Sequence, residues 1–174
     1  TVTENGTSVA TVVATDPDGD AIQYFKSGTE ADRFNVDQNA GVVTFIAPPD
    51  FENHTDSNVD GGYIVTVIAR DPSGAATSQT LTVSVTDTND VAPVITAGQS
   101  FTVHEHADEN VVVGTAHATD VDTVGSLQNW TITGGTGAGT FAIAPGTGRI
   151  MVAHPATLDC ETTTSMTLIL TVSD

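Results

Sequence analysis

Apolar residues alternate with polar residues, at a period of two, through most of the chain. The alternation is clearest in the runs 63–67, 81–85 and 168–172. Such runs lie roughly 8–12 residues apart, with Gly, Pro, Asn and Asp between them. Because successive side chains of a strand point to opposite faces of a sheet, the pattern predicts short strands with one buried face. No stretch has the spacing of an amphipathic helix, and we therefore expect an all-β fold, either an antiparallel sandwich or a barrel.

The sequence contains two copies of one module. Matching acidic residues are offset by 101, 104, 109 and 103 positions in the pairs Glu4 with Glu105, Asp16 with Asp120, Glu52 with Glu161 and Asp71 with Asp174. A near-constant offset indicates a tandem repeat. Tyr24 and Trp130 occupy matching positions, which predicts a buried aromatic residue on a central strand of each copy.

The repeat predicts two modules of the same β fold in tandem. We place the first in residues 1–90 and the second in residues 91–174. After Asp71 the first copy continues through a turn into a final strand, whereas the second copy stops at the matching Asp174. We therefore expect the second module to be truncated before its last strand, and the chain to be a piece of a longer array.

The net charge of the chain limits the partners that it can bind. The chain has 174 residues, with 22 Asp and Glu against 4 Lys and Arg, and a net charge of −18. Binding to the phosphates of a nucleic acid needs many more cationic side chains, so we expect no nucleic-acid partner. No apolar run approaches the roughly 18 residues of a membrane span, so we do not expect this chain to be embedded in a membrane.

The sequence lacks the motifs that commonly mark a catalytic site. The sequence has no G-x-S-x-G motif, and no histidine is placed to pair with Cys160, which is the single cysteine and forms no intrachain disulfide. We expect no enzymatic activity. A surplus of carboxylates instead favours binding of a cation.

Short acidic motifs carry a family resemblance. In the first copy they are Thr3-Glu4-Asn5, Ala14-Thr15-Asp16-Pro17-Asp18, Asp50-Phe51-Glu52, Ala69-Arg70-Asp71 and Asp87-Thr88-Asn89-Asp90. In the second copy they are Glu105, Asp120-Val121-Asp122, Leu158-Asp159-Cys160-Glu161 and Asp174. In this order and spacing the chain resembles the cadherin repeat family, specifically the bacterial cadherin-like repeats of large surface adhesins. The resemblance covers essentially the whole chain, and it implies two tandem Greek-key sandwiches of the immunoglobulin-like, cadherin type, each of seven strands.

The resemblance implies calcium ions at the junction between the modules. The implied ligands are Glu4, Asp50, Glu52, Thr88 through its carbonyl group, Asn89, Asp90, Asp120, Asp122 and Asp174. It also implies half-sites that face further modules, formed by Asp16, Asp18 and Asp71 and by Glu105, Asp159 and Glu161. Val91 stands where the family usually has a second linker asparagine. The ligand types suit Ca²⁺, which prefers six to eight oxygen atoms.

The function that follows is that of an extracellular, calcium-stiffened repeat in an elongated bacterial cell-surface adhesion protein. Its partners are the neighbouring repeats and a cell-surface protein or polysaccharide. Two alternatives stay open, a module that recognises a carbohydrate or partner protein directly, and a passive spacer of a secreted enzyme. The N-terminal Trp that animal cadherins exchange in homophilic adhesion has no counterpart here.

Two further motifs have open interpretations. Residues 56–61 read D-x-N-x-D-G, the first half of a calcium-binding loop, but the twelfth position of such a loop would be Val67 instead of Glu. They form either an additional calcium site or a polar hairpin loop. His104 and His106 flank Glu105 and are either two zinc ligands or surface residues.

Overall fold

The computed structural model describes all residues Thr1–Asp174 and contains strands and two short 3-10 helices. The chain divides into two compact units, Thr1–Thr88 and Asn89–Asp174, which we call unit 1 and unit 2. The division falls two residues before the expected boundary. The predicted all-β fold class is confirmed.

Unit 1 is a sandwich of a four-stranded and a three-stranded sheet, as predicted. Its strands are β1 (Val2–Thr3), β2 (Ser8–Thr11), β3 (Gln23–Ser27), β4 (Phe34–Val36), β5 (Val42–Phe45), β6 (Gly62–Arg70) and β7 (Ala76–Thr86), with a 3-10 helix at Ala31–Arg33. The larger sheet has the order β1-β7-β6-β3 and the smaller β2-β5-β4. All pairs are antiparallel except β1 with β7, which run parallel. The expectation of a purely antiparallel core is wrong at this pair, because the first strand lies beside the last strand and runs in the same direction.

The core of unit 1 lies between its two sheets. Phe34 is fully buried and stacks on Phe45 with 4.7 Å between ring centroids, and the Tyr63 ring meets Phe45 edge-on at 5.0 Å. Valines on the inward faces of β6 and β7 extend this core, and Val65 is fully buried. Alternation in the sequence therefore correctly marked the buried face of both strands.

Unit 2 repeats the plan with shorter strands. They are β8 (Val94–Ile95), β9 (Val112–Thr115), β10 (Ala118–Thr119), β11 (Gln128–Gly134), β12 (Phe141–Ile143), β13 (Arg149–Val152) and β14 (Ile169–Ser173), with a 3-10 helix at Pro155–Thr157. They form the sheets β10-β8, β12-β13-β9 and β11-β14. In unit 1 the matching strand β6 has neighbours on both sides, whereas β14 pairs with β11 alone. An apolar cleft of about 740 Å³, lined in part by Phe101, Leu168 and Leu170, opens on this unit.

Each unit packs a glycine against its buried aromatic ring, in matching positions. Tyr24 is 7% exposed and Trp130 is 3% exposed, as predicted. A Cβ atom on Gly41 would lie 3.1 Å from the Tyr24 ring, and one on Gly148 would lie 3.1 Å from the Trp130 ring. Both glycines have positive φ, 66° and 69°, which other residues adopt at an energetic cost. The repeat thus extends to the backbone turn that supports the aromatic residue.

The acidic residues of this protein all lie outside its strands. No residue of the fourteen strands is Asp or Glu, so all 22 acidic residues lie in turns, loops and a short 3-10 helix. The sandwich faces are consequently free of carboxylates, and the electrostatics of the molecule are set by its loops. No helix of the fold has the length and apolar character needed to cross a membrane.

We predict that Phe34→Ala lowers the free energy of unfolding of unit 1 by about 3–5 kcal/mol, because it leaves a cavity beside Phe45 and Tyr63. The measurement is urea denaturation followed by the NMR signals of the Tyr63 ring. Val13→Ala is the control, since Val13 is 79% exposed and its change should stay within about 0.5 kcal/mol. Equal effects of the two substitutions would contradict this description of the core.

Candidate metal centre

A buried glutamate organises the acidic residues of unit 1. Glu4 follows β1, and its backbone N–H donates to the carbonyl oxygen of Thr86 at 3.0 Å. Its side chain is 4% exposed. One carboxylate oxygen accepts the backbone N–H of Phe51 at 2.8 Å, and the other accepts the backbone N–H of Thr88 at 2.6 Å. Glu4 therefore fixes both the segment that contains Asp50 and the end of unit 1.

Two further predicted ligands lie beside that glutamate. Carboxylate oxygens of Glu4, Asp50 and Glu52 all lie within 4.8 Å of one another. Two unit charges at that distance repel by about 3 kcal/mol at an effective dielectric constant of about 20. Two cations of unit 1 have other contacts, since the Lys26 ammonium donates to the Phe34 carbonyl group and the Arg70 guanidinium lies over the Phe25 ring. A bound cation would relieve this repulsion.

Asp87 lies beside Glu52 of this cluster, and the sequence interpretation gave it no ligand role. One of its carboxylate oxygens lies within 4.8 Å of an oxygen of Glu52. The sequence contains a pattern that could have identified Asp87, because the alternation continues past the end of β7 and places Asp87 on the same side as Val83 and Val85. Thr88 contributes its N–H to Glu4, while the predicted role of its carbonyl group remains a prediction.

A second cluster forms within unit 2. Asp120 follows β10, Asp174 follows β14, and carboxylate oxygens of both lie within 4.8 Å of an oxygen of Asp122. All three residues are half-buried. One buried oxygen of Asp120 and one of Asp122 have no hydrogen-bond partner. Buried carboxylate oxygens without donors are unfavourable, and a cation would satisfy them.

The linker residues are held against this second cluster. The remaining oxygen of Asp122 accepts the backbone N–H groups of Asp90 at 3.0 Å and Val91 at 2.9 Å. The side chain of Asn89 lies against Gly125, where an added Cβ would come within 2.2 Å of its oxygen. Val91 contributes a backbone group that any residue other than proline supplies, so its difference from the family pattern leaves this contact intact.

The half-sites differ from each other. Oxygens of Glu105, Asp159 and Glu161 lie within 4.8 Å of one another, and all three residues are exposed. The backbone N–H of the exposed Cys160 donates to Glu105 at 3.1 Å. The hydroxyl group of Thr162 is the main cause that holds the pKa of Asp159 below its ordinary value.

Asp16, Asp18 and Asp71 do not form such a cluster. Asp16 accepts the backbone N–H of Asp18 at 2.8 Å within a turn. Asp71 accepts the Ser73 hydroxyl group at 2.9 Å together with backbone N–H groups of the turn that joins β6 to β7. The side chains of Asp16 and Asp71 are accordingly bound to the turns that follow them.

The motif at residues 56–61 does not have the form of a calcium loop. Both carboxylate oxygens of Asp56 accept backbone N–H groups, from Asp60 at 2.8 Å and Gly61 at 3.3 Å. Asp60 accepts the Gly62 N–H and the Asn58 side chain. These oxygens are engaged by the loop itself, which corresponds to the polar-loop interpretation. His104 and His106 belong to no cluster of metal-ligating side chains.

Known proteins match this chain over most of its length. Residues 1–86 match the family model described as cadherin domain. "Protocadherin-like wing polarity protein stan" of Drosophila melanogaster is 34% identical over 97% of the chain, and Cadherin-23 of Homo sapiens is 30% identical over 96%. The chain spans 5% of the length of each of these relatives. None of these names is that of an enzyme.

A solved structure shares the fold. The crystal structure of human Protocadherin-24 EC1-2 covers 99% of this chain, with 87% of its own length covered, at a TM-score of 0.71 and 23% identity. At that identity the likeness establishes the fold alone. The predicted tandem sandwich therefore agrees with a solved pair of cadherin domains.

We predict that Ser73→Ala raises the pKa of Asp71 toward its ordinary value in the absence of divalent cations. The Ser73 hydroxyl group, and after it the backbone N–H groups of Ala75 and Gly74, hold that pKa low against the opposing effect of burial. The measurement is an NMR titration of the Asp71 carboxyl group. Ser78→Ala, an exposed serine on β7, should leave the pKa unchanged.

The lowered pKa of Asp71 also makes the stability of the fold depend on pH. Because the folded-state pKa of Asp71 is lowered, its contribution to stability is present above the pKa of the unfolded chain and is lost as pH falls through the folded-state pKa. Ser73→Ala should therefore flatten the acid limb of the stability profile. An unchanged pKa in that variant would show that the hydroxyl group is not the main cause.

Proposed function

Because the chain belongs to the cadherin domain family, we propose that it is a calcium-binding repeat pair of an elongated extracellular adhesion protein. In this proposal Ca²⁺ ions bind the acidic clusters where the chain passes from unit 1 to unit 2, and they stiffen that passage. A repeat of this kind works mechanically, since it transmits position and force between the repeats before and after it. Its partners are those repeats and, through the whole protein, a cell-surface protein or polysaccharide.

The observation that carries the proposal is the way each cluster holds the linker. Glu4 of the first cluster binds the N–H of Thr88, and Asp122 of the second binds the N–H of Asp90. Thr88 and Asp90 are separated by one residue, and two peptide units span at most about 7 Å. Each cluster therefore binds a backbone group of the same short linker, and cations bound in either cluster would restrain it.

Charge supports several divalent ions. The two clusters and the linker contribute eight carboxylates, namely those of Glu4, Asp50, Glu52, Asp87, Asp90, Asp120, Asp122 and Asp174. Three Ca²⁺ ions would neutralise most of this charge with the oxygen ligands that the ion prefers. Without ions, mutual repulsion disfavours any arrangement that brings the carboxylates together. We expect affinities in the range of about 10⁻⁵–10⁻³ M that extracellular modules show.

The distribution of aromatic residues favours this function over direct carbohydrate recognition. Carbohydrate-binding surfaces expose aromatic rings on which sugars stack, whereas Phe101 is the single exposed Phe, Tyr or Trp of this chain. Tyr24, Tyr63 and Trp130 are buried in the two cores. The passive-spacer alternative differs by needing no cation, so a calcium titration separates it from the proposal.

We predict that the calcium-free protein binds several Ca²⁺ ions per chain in isothermal titration, with a higher melting temperature and a longer, stiffer particle in small-angle scattering. Asp122→Asn should weaken binding at least about tenfold, since it removes charge from a cluster with unsatisfied oxygens. Asp108→Asn is the matched control, because Asp108 is exposed and belongs to no cluster. Absence of binding up to about 5 mM Ca²⁺, above the affinity range of such modules, would leave the spacer alternative in place.

A further inference from the structure

Unit 1 contains a loop extension that unit 2 lacks. Asp71 follows Glu52 by 19 positions, whereas the matching Asp174 follows Glu161 by only 13. The difference equals the length of the segment Asp56-Ser57-Asn58-Val59-Asp60-Gly61, which we call the insert. It lies directly after the residues Asp50 and Glu52 of the first cluster.

A buried carboxylate outside the clusters binds the insert to the sandwich. Glu30 is 5% exposed, and its two oxygens accept the backbone N–H groups of Ser57 and Ile64, both at 2.6 Å. Ile64 has this N–H available because β3 pairs with β6 only as far as Thr66. Short hydrogen bonds to an ionised group are about twice as strong as neutral ones. Glu30 therefore joins the insert to the edge of β6.

Asp56 folds the insert on itself. Its side chain is 5% exposed and accepts the N–H groups of Asp60 and Gly61. Burial acts to raise the pKa of Asp56, but those two N–H groups and the nearby His54 outweigh it and hold the pKa below its ordinary value. The insert is thus a compact, ionised turn.

Contacts lead from the insert to the first cluster. A Cβ on Gly61 would lie 3.0 Å from the His54 ring, and that ring packs edge-on against Phe51 with 5.6 Å between centroids. The backbone N–H of Phe51 is the group that donates to Glu4. Asn53 donates its own N–H to Asp50 at 2.9 Å. A continuous series of contacts therefore runs from the insert through His54 and Phe51 to Glu4.

We infer that Glu30 is a positioning residue, which orders the segment Asp50–Gly61 before any ion binds, so that Asp50 and Glu52 meet calcium in a fixed arrangement. The calcium part of this inference rests on the proposed function. A ligand segment ordered in advance loses less conformational entropy on binding. Unit 2 has no insert, and its matching residues Asp159 and Glu161 are exposed, so this device belongs to unit 1 alone.

The test is Glu30→Gln, studied by amide hydrogen exchange in the calcium-free protein. Glutamine offers one acceptor oxygen, so either Ser57 or Ile64 loses its hydrogen bond. We expect exchange at these two amides to become about tenfold faster, and the amides of Phe51 and Asn53 to follow. Asp32→Asn removes the same charge from an exposed residue two positions away and should leave all four rates unchanged.

A second variant and a titration complete the test. Asp56→Asn keeps Glu30 but loosens the insert, and should give the same pattern with a smaller effect. Calcium affinity should fall about threefold to tenfold in Glu30→Gln, and saturating Ca²⁺ should restore protection at Phe51 and Asn53.

Two results would separate the hypotheses. Faster exchange at Ser57 and Ile64 with unchanged rates at Phe51 and Asn53 would overturn the positioning role. If the unsubstituted protein bound no calcium, the proposed function would fail by itself. The ion-free exchange rates of Phe51 and Asn53 would still decide whether Glu30 orders the segment.

Discussion

Burial of one carboxylate is the constraint on which the architecture of unit 1 depends. A buried ionised group is tolerated only when donors satisfy it, and Glu4 receives them from Phe51 and Thr88. Those donors come from positions 47 and 84 residues further along the chain. Satisfying Glu4 therefore requires the first strand, the acidic loop and the end of the unit to meet at one place. The acidic cluster is a consequence of that meeting.

The separation of charge from strands explains how so acidic a chain folds. With no Asp or Glu in any strand, the sheet ladders and the core around Phe34 form without placing like charges opposite each other. Repulsion is confined to the loops, where clusters such as Asp120, Asp122 and Asp174 lie at the ends of strands. The residues that form the sheets and the core are consequently different from the carboxylates that could bind a cation.

The sequence predicted what local periodicity and repetition encode. Alternation marked β6, β7 and β14, and the offset of about 100 residues predicted two copies with a buried aromatic residue in each. The parallel pairing of β1 with β7 was not predicted, because the pattern of a two-residue strand holds no information about direction. The role of Glu30 could not be read from local pattern, since its partners are 27 and 34 residues away. Asp87 was quoted within a motif but left without a role, although alternation from β7 would have assigned it a side.

The parallel seam between β1 and β7 also determines how unit 1 bears tension. A pull along the chain enters at Thr1 and leaves at Thr88, so it draws two parallel neighbours in opposite directions along their common axis. The bonds across the seam, together with those of Glu4 to Thr86 and Thr88, are then loaded simultaneously in shear. An antiparallel pair pulled from one end would open like a zipper, one bond at a time. The seam thus makes the short first strand a mechanical clamp.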